Sequence, residues 1–212
     1  MNIIVISDIH TRWNEVTTSD CDILISCGDY SFRGEEQVVR DFHTWLSKQP
    51  AKHVISVQGN HELGVEKNFP LAKQIVADID PKIRFIDEGL VEIEGIKIWC
   101  SAITPFYHDW AWNRYRGDEI KRHWDSIPDD IDILVTHGPP HGILDKTLNT
   151  GEHVGCADLK DRIDKLPNLR YHCFGHIHEG YGQLIVGQVA YINAAICNEK
   201  YKAVNKPICF NI

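Results

Sequence analysis

Apolar residues in this chain come in short, dense, β-branched runs, each followed by a polar cluster. Five runs, residues 3–6, 23–25, 53–57, 131–135 and 171–174, are continuous enough to predict strands covered on both faces. Between several of them the spacing lengthens to the helical period. Residues 34–48 place Val38, Val39, Phe42, Trp45 and Leu46 at helical spacing and stop before Pro50. Residues 66–79, closed by Pro81, and 156–166, closed by Pro167, predict two further helices. Residues 90–93 and 96–99 flank Glu94-Gly95, and residues 183–186 and 189–192 flank Gly187-Gln188, which predicts two hairpins. The pattern describes an α/β chain of two packed sheets with helices outside. No repeat or linker interrupts it, so residues 1–212 are read as a single domain with an aromatic-rich loop insertion around 101–130.

Composition narrows the function classes. The chain is 43% hydrophobic and 25% charged, an ordinary globular balance. Its 22 Lys and Arg against 30 Asp and Glu leave a net charge of -8, which disfavours long nucleic acid as a partner. A small anionic substrate stays open, because bound divalent cations reverse the local field. The 7 Cys are odd in number, widely spaced and without a CxxC pair, so zinc-ribbon and thioredoxin-like chemistry lack support. Most sit in apolar runs and read as buried free thiols, pointing to a reducing compartment. With no signal-like or membrane-length segment, the expectation is a soluble, cytoplasmic protein without a membrane partner.

The chemistry lies where the apolar runs stop. The five runs are followed by Asp8-Ile9-His10, Gly28-Asp29, Gly59-Asn60-His61-Glu62, His137-Gly138 and Gly175-His176-Ile177-His178. Loops at the carboxyl ends of strands are where α/β proteins hold ligands. Each fragment alone is ordinary turn chemistry; five in order, with one chemical bias, point to one shared site. Imidazole nitrogen and carboxylate oxygen suit zinc, manganese and iron, and no thiolate joins the set. Seven such side chains exceed the needs of one transition ion and suit two, with room for water and substrate.

These five motifs resemble those of the calcineurin-like metallophosphoesterases, in order and over nearly the whole chain. Residues 136–140, 142–145, 154–156, 175–182 and 192–194 further resemble the branch containing metallophosphoesterase-domain proteins of animal brain and microbial relatives, and the chain is similar to class III cyclic nucleotide phosphodiesterases. The resemblance implies two mixed sheets packed face to face with helices on both outer sides. It implies two divalent ions, manganese first and iron, zinc or nickel also fitting. Asp8, His10, Asp29 and His178 would hold the first ion, and Asp29, Asn60, His137 and His176 the second, with Asp29 bridging. His61 would bind no metal and would serve the substrate phosphate or leaving oxygen, while a metal-bound hydroxide attacks. One departure stands out: the segment 28–34 lacks the acidic residue that protein phosphatases carry before the Arg, and Arg33 is read as a surface residue starting the following helix.

The implied substrate is a small phosphodiester, cyclic nucleotides among them. Phosphomonoester or phosphoprotein hydrolysis on the same site is the alternative, and a non-catalytic scaffold is the reading from another class. Tyr107, Trp110, Trp112, Tyr115 and Trp124 either stack a base or pack their loop, with packing preferred for Trp124. Asn113, Arg114 and Arg116 are candidates to meet a phosphate or ribose. Glu62 either orients a neighbour or starts the next segment. His141 and His153 are left outside the site, and His43, His53, His108, His123 and His172 are read as structural.

Overall fold

The computed structural model describes residues Met1–Ile212. One sheet is built from β1 (Asn2–Ile6), β2 (Cys21–Ser26), β3 (Ala51–Val57), β4 (Ile83–Ile86) and β13 (Ile208–Asn211), in the order β13-β1-β2-β3-β4. The second holds β5 (Glu88–Ile93), β6 (Ile96–Ser101), β9 (Ile133–Thr136), β10 (Tyr171–Phe174), β11 (Gly182–Val186) and β12 (Val189–Asn193), in the order β11-β12-β10-β9-β6-β5. Both are mixed: β13 runs antiparallel to β1, and the predicted hairpins β5–β6 and β11–β12 supply the antiparallel pairs of the second sheet. The remaining neighbours are parallel.

Side-chain alternation shows how the layers stack. On the second sheet, Ile98, Cys100, Ile133, Val135, Cys173 and Ile192 join the core shared with the first sheet. Their neighbours Trp99, Leu134, Phe174 and Tyr191 point to the other face and join a second core. A strand with period two and apolar residues on both faces has to be covered twice. The outer cover is α4 (Asp118–Asp125) and α5 (Ala157–Ile163), through Ile120, Trp124, Leu159 and Ile163. The first sheet is covered by α1 (Glu36–Leu46), through Val39, Phe42 and Leu46, and by α3 (Phe69–Ile79), through Ala72, Ile75 and Val76. The order helix, sheet, sheet, helix is the architecture the sequence predicts.

Three local outcomes differ from the sequence reading. The helix expected over 66–79 is two, α2 (Leu63–Lys67) and α3, separated at Asn68. Pro70 has no N–H to continue a helix from α2, and the Asn68 side chain accepts from Leu71 N at 3.4 Å to start a new one. Strands β4 and β13 are four residues each and alternate buried with more exposed positions, so they make no continuous apolar run. The stretch 101–130 contains the short parallel pair β7 (Thr104–Pro105) and β8 (Asn113–Arg114) as well as α4. Helix α4 is eight residues long with only Ile120 and Trp124 buried, too little periodicity to stand out among its charges.

The parallel strands β1, β2, β3, β9 and β10 carry the five polar loops at their carboxyl ends. The sheets are stitched together there: Ser7 N donates to Ala194 O at 3.0 Å and Ile196 N to Ser7 O at 2.8 Å.

Candidate metal centre

The loops leave their strands through unusual backbone. Asp8 (φ 51°), His10 (φ 44°), Asp29 (φ 54°) and His176 (φ 66°) all adopt left-handed conformations that non-glycine residues rarely hold. Four strained positions among seven candidate ligands is a concentration typical of functional sites. Two glycines are required by space. A Cβ on Gly175 would lie 1.9 Å from Asp8 Oδ2, and one on Gly59 would lie 2.3 Å from Asp29 Oδ1.

Four imidazoles are oriented the same way. His10, His61, His137 and His178 each donate Nδ1–H to a backbone carbonyl, of Ser31 (3.1 Å), Phe32 (3.1 Å), Cys27 (2.8 Å) and Asn198 (2.9 Å). This fixes the tautomer and sends every Nε2 lone pair inward. There the lone pairs meet other acceptors. His10 Nε2 and His178 Nε2 are 3.3 Å apart. His137 Nε2 faces Asn60 Oδ1 at 2.9 Å and Asp29 Oδ2 at 3.2 Å. Asp8 Oδ1 lies 3.2 Å from His178 Nε2, yet it is buried without an aligned hydrogen-bond partner. Buried acceptors facing acceptors call for positive charge between them.

Three sets of ligand atoms lie mutually within 4.8 Å: Asp8, His10 and His178; Asp29, His137 and His176; and His10, Asp29 and His61. In the protein alone, protons take the cation's role. Burial lowers the His137 pKa, but the charge and hydrogen bond of Asp29 outweigh it and raise it to about 9. Burial is likewise overcome at His178, where Asp8 raises the pKa to about 9. Burial would raise both carboxyls; His178 and His137 instead bring Asp8 down to about 2, and His137 leads in holding Asp29 well below the usual carboxylate range. His10 and His176 are pulled down to about 4, chiefly by burial. The donor set therefore fits divalent cations: it is nitrogen and oxygen throughout, convergent, and short of positive charge.

Behind the centre lies Glu62, fully buried. Its Oε2 accepts from Asp29 N (2.9 Å) and Gly59 N (2.7 Å), and its Oε1 from Ser31 N (3.1 Å) and Ser31 Oγ (2.8 Å). Burial and the Asp29 charge push its pKa up to about 8, and these donors oppose the rise. Both sequence readings hold: Glu62 orients the Asp29 and Gly59 backbone, and it stands at the start of α2.

In front, a cavity of about 270 Å³ opens over Asp29, Asn60, His61, His176 and His178. Its remaining lining is Tyr107, Trp110, Tyr201, Glu179 and Glu199, with no Lys or Arg. His61 lies against Trp110, ring centroids 4.3 Å apart. Trp112 and Trp124 are buried packing residues, and Tyr115 stacks on Phe106 outside the cavity. Asn113, Arg114 and Arg116 do not line the cavity. Asn113 Nδ2 donates to His108 O at 2.7 Å, Arg114 to Asn113 O at 2.7 Å, and Arg116 to the Gly155 and Val154 carbonyls at 2.9 and 2.8 Å. Asn113 and Arg114 thus close their own loop, and Arg116 ties it to the segment before α5. Arg33 is exposed ahead of α1, its guanidinium 6.0 Å from the Trp110 ring.

The calcineurin-like phosphoesterase family model matches residues 1–180. The chain belongs to that family. Among curated relatives of this calcineurin-like phosphoesterase, human metallophosphoesterase domain-containing protein 1 is 33% identical over 228 residues, covering 99% of this chain and 70% of the human protein. A solved Thermus thermophilus structure shares the fold with a TM-score of 0.62 at 15% identity, covering 91% of this chain and 88% of its own. A structure described as a novel archaeal phosphodiesterase aligns with a TM-score of 0.51 at 18% identity, covering 93% and 85%. The family is metal-dependent, in keeping with the donor set. No helix of this family member is long and apolar enough to cross a membrane.

The sequence reading of this phosphoesterase missed the segment after β12. Asn198 supplies the carbonyl that orients His178, and Glu199 and Tyr201 line the cavity. Asn193 was noticed only as part of a motif. Its Nδ2 donates to Ile177 O at 2.8 Å and latches the His176–His178 loop. The available signal was a polar residue at the end of a sixth strand.

Proposed function

We propose that this calcineurin-like phosphoesterase is a two-metal phosphodiesterase for small substrates. The observation that carries the reading is Asp29. Its carboxylate belongs both to a set with His137 and His176 and to a set with His10, and His10 in turn belongs to a set with Asp8 and His178. In this reading Asp8, His10, Asp29 and His178 hold one ion, and Asp29, Asn60, His137 and His176 the other. Nitrogen and oxygen donors without thiolate favour manganese, with iron, zinc and nickel also suited. Two divalent ions so held supply Lewis acidity, an acidified water and charge for the phosphoryl oxygens.

The chain's own residues do the rest. Phe32 O fixes the His61 tautomer with Nε2 toward the cavity, and Trp110 backs the ring. A protonated His61 donates to the leaving oxygen, the role of a general acid. Phe32 stands before Arg33, where the protein-phosphatase version of this segment has an acidic residue, and its backbone carbonyl orients His61. The cavity lining favours a diester over a monoester: it has two Glu and no Lys or Arg beyond the ligands, which suits one substrate charge better than two.

Hydrolysis by manganese-loaded protein of bis(p-nitrophenyl) phosphate, cyclic nucleotides, p-nitrophenyl phosphate and a phosphopeptide tests the proposal. The expected result is diester turnover well above monoester turnover. Cleavage confined to the phosphopeptide would replace it with a protein phosphatase, and full metal binding without turnover of any ester would leave the scaffold reading.

A further inference from the structure

Tyr201 lies beyond residues 1–180 that the family model matches, yet it is built into the site. Its φ of 55° is a conformation bulky side chains avoid, so local bonds have to hold it. Tyr201 N donates to Asn198 O at 2.8 Å, the same carbonyl that receives His178 Nδ1–H at 2.9 Å. Asn198 N donates to Lys202 O at 2.9 Å, and Asn198 Oδ1 accepts from Lys200 N and Lys202 N at 3.0 and 3.1 Å. Cys197 N donates to Asp8 O at 3.1 Å, tying the loop to the first strand end.

The loop brings the Tyr201 ring edge-to-face against His10 (centroids 4.7 Å, 81°) and His178 (5.7 Å, 87°). Phe32 flanks it at 5.3 Å and His61 at 6.4 Å. The ring thus packs beside His10 and His178, with His61 farther off, at the rim of the cavity that all but His10 line. It is 38% exposed, and its hydroxyl makes no hydrogen bond to the protein, unlike Tyr171 and Tyr181, whose hydroxyls donate to backbone carbonyls. A strained backbone that delivers an O–H donor with no protein partner to a cavity without Lys or Arg leaves that donor free for a ligand.

We propose that Tyr201 is a substrate-contacting residue whose phenol O–H donates to a non-bridging phosphoryl oxygen, supplying a donor to the charge that grows on it during displacement. This rests on the phosphoesterase reading above and assigns Tyr201 alongside His61, with no change in the ligand set. Donors of this kind are worth roughly tenfold to a hundredfold or more in rate.

The test compares wild type with Tyr201→Phe, which keeps the ring and its packing. With manganese loaded, Tyr201→Phe is expected to retain metal content and melting temperature while kcat/KM on bis(p-nitrophenyl) phosphate falls at least tenfold. Affinity for orthovanadate, a mimic of the transferring phosphoryl group, should weaken by a similar factor and needs no turnover. Unchanged turnover and unchanged vanadate affinity overturn the proposal, as does a loss that merely follows loss of manganese. If wild type hydrolyses no ester, the phosphoesterase reading fails, and the vanadate comparison still decides Tyr201.

Discussion

Two groups of buried histidine occupy this molecule, and they differ in what faces the second ring nitrogen. His43 lies on the buried face of α1. Its Nδ1 donates to Val39 O at 2.7 Å and its Nε2 meets Ser56 Oγ at 3.0 Å, a hydroxyl able to donate. His172 on β10 donates from Nε2 to Thr136 Oγ1 at 2.8 Å, which donates onward to Gly138 O at 2.7 Å. Burial keeps both imidazoles neutral, lowering their pKa to about 4 and about 3, and His172 Nδ1 is buried with no partner and no acceptor facing it within hydrogen-bond reach. At the centre, His137 and His178 also spend Nδ1–H on a carbonyl, but their Nε2 meets oxygens that only accept. Burial is shared; the partner of the lone pair separates a packed histidine from a ligand.

That contrast is tested hardest at Asp29. Asp29→Ala should abolish stoichiometric manganese binding and lower turnover by roughly a thousandfold, whereas His43→Phe should leave metal content at the wild-type level by elemental analysis. Equal metal loss in both variants would erase the distinction. The next effect is on stability. His43 has a folded pKa of about 4, below its ordinary 6.5, so the unfolded chain binds its proton more readily. Its contribution is complete above pH 6.5 and falls as pH drops toward 4, by about 3 kcal/mol. Denaturant titrations should show a shallower acid loss in His43→Phe than in wild type.

His61→Ala separates holding a metal from using it. Turnover is expected to fall roughly a hundredfold with manganese content preserved; loss of one ion would instead count His61 among the ligands, as its proximity to His10 and Asp29 permits. The smallest effect belongs to Asn113, a sequence candidate for a phosphate or ribose contact that does not line the cavity. Asn113→Ala should cost about 1 kcal/mol in stability and leave KM on a diester unchanged, since its amide is engaged by the Tyr107 and His108 carbonyls.

The sequence made the strand ends legible because a buried parallel strand is a continuous apolar run and its functional loop starts where that run stops. Asp8, Asp29, Asn60, His137 and His176 follow such runs, and the structure brings them together. Features set by three-dimensional proximity left no such trace. Nothing in the sequence pairs Phe32 O with His61, or Asn198 O with His178, since backbone carbonyls carry no residue signature. Helix α4 was hidden by charge, and β4 and β13 by alternation. The Arg114 and Arg116 reading failed for a physical reason: a guanidinium has five donors, and loop carbonyls at 2.7 to 2.9 Å satisfy several of them before any ligand arrives.

The antiparallel pairing of β13 with β1 has a consequence for assembly. Asn2 is in register with Asn211 and Val5 with Ile208, so the outer edge of β1 is covered by a strand that follows every other element of this fold in the chain. The loop carrying Asn198 and Tyr201 arrives only shortly before. A ribosome-bound chain can pair β1, β2 and β3 early, but contacts of such long sequence separation close late and slowly. A chain truncated before residue 197 would carry every motif histidine and still lack the carbonyl that aims His178.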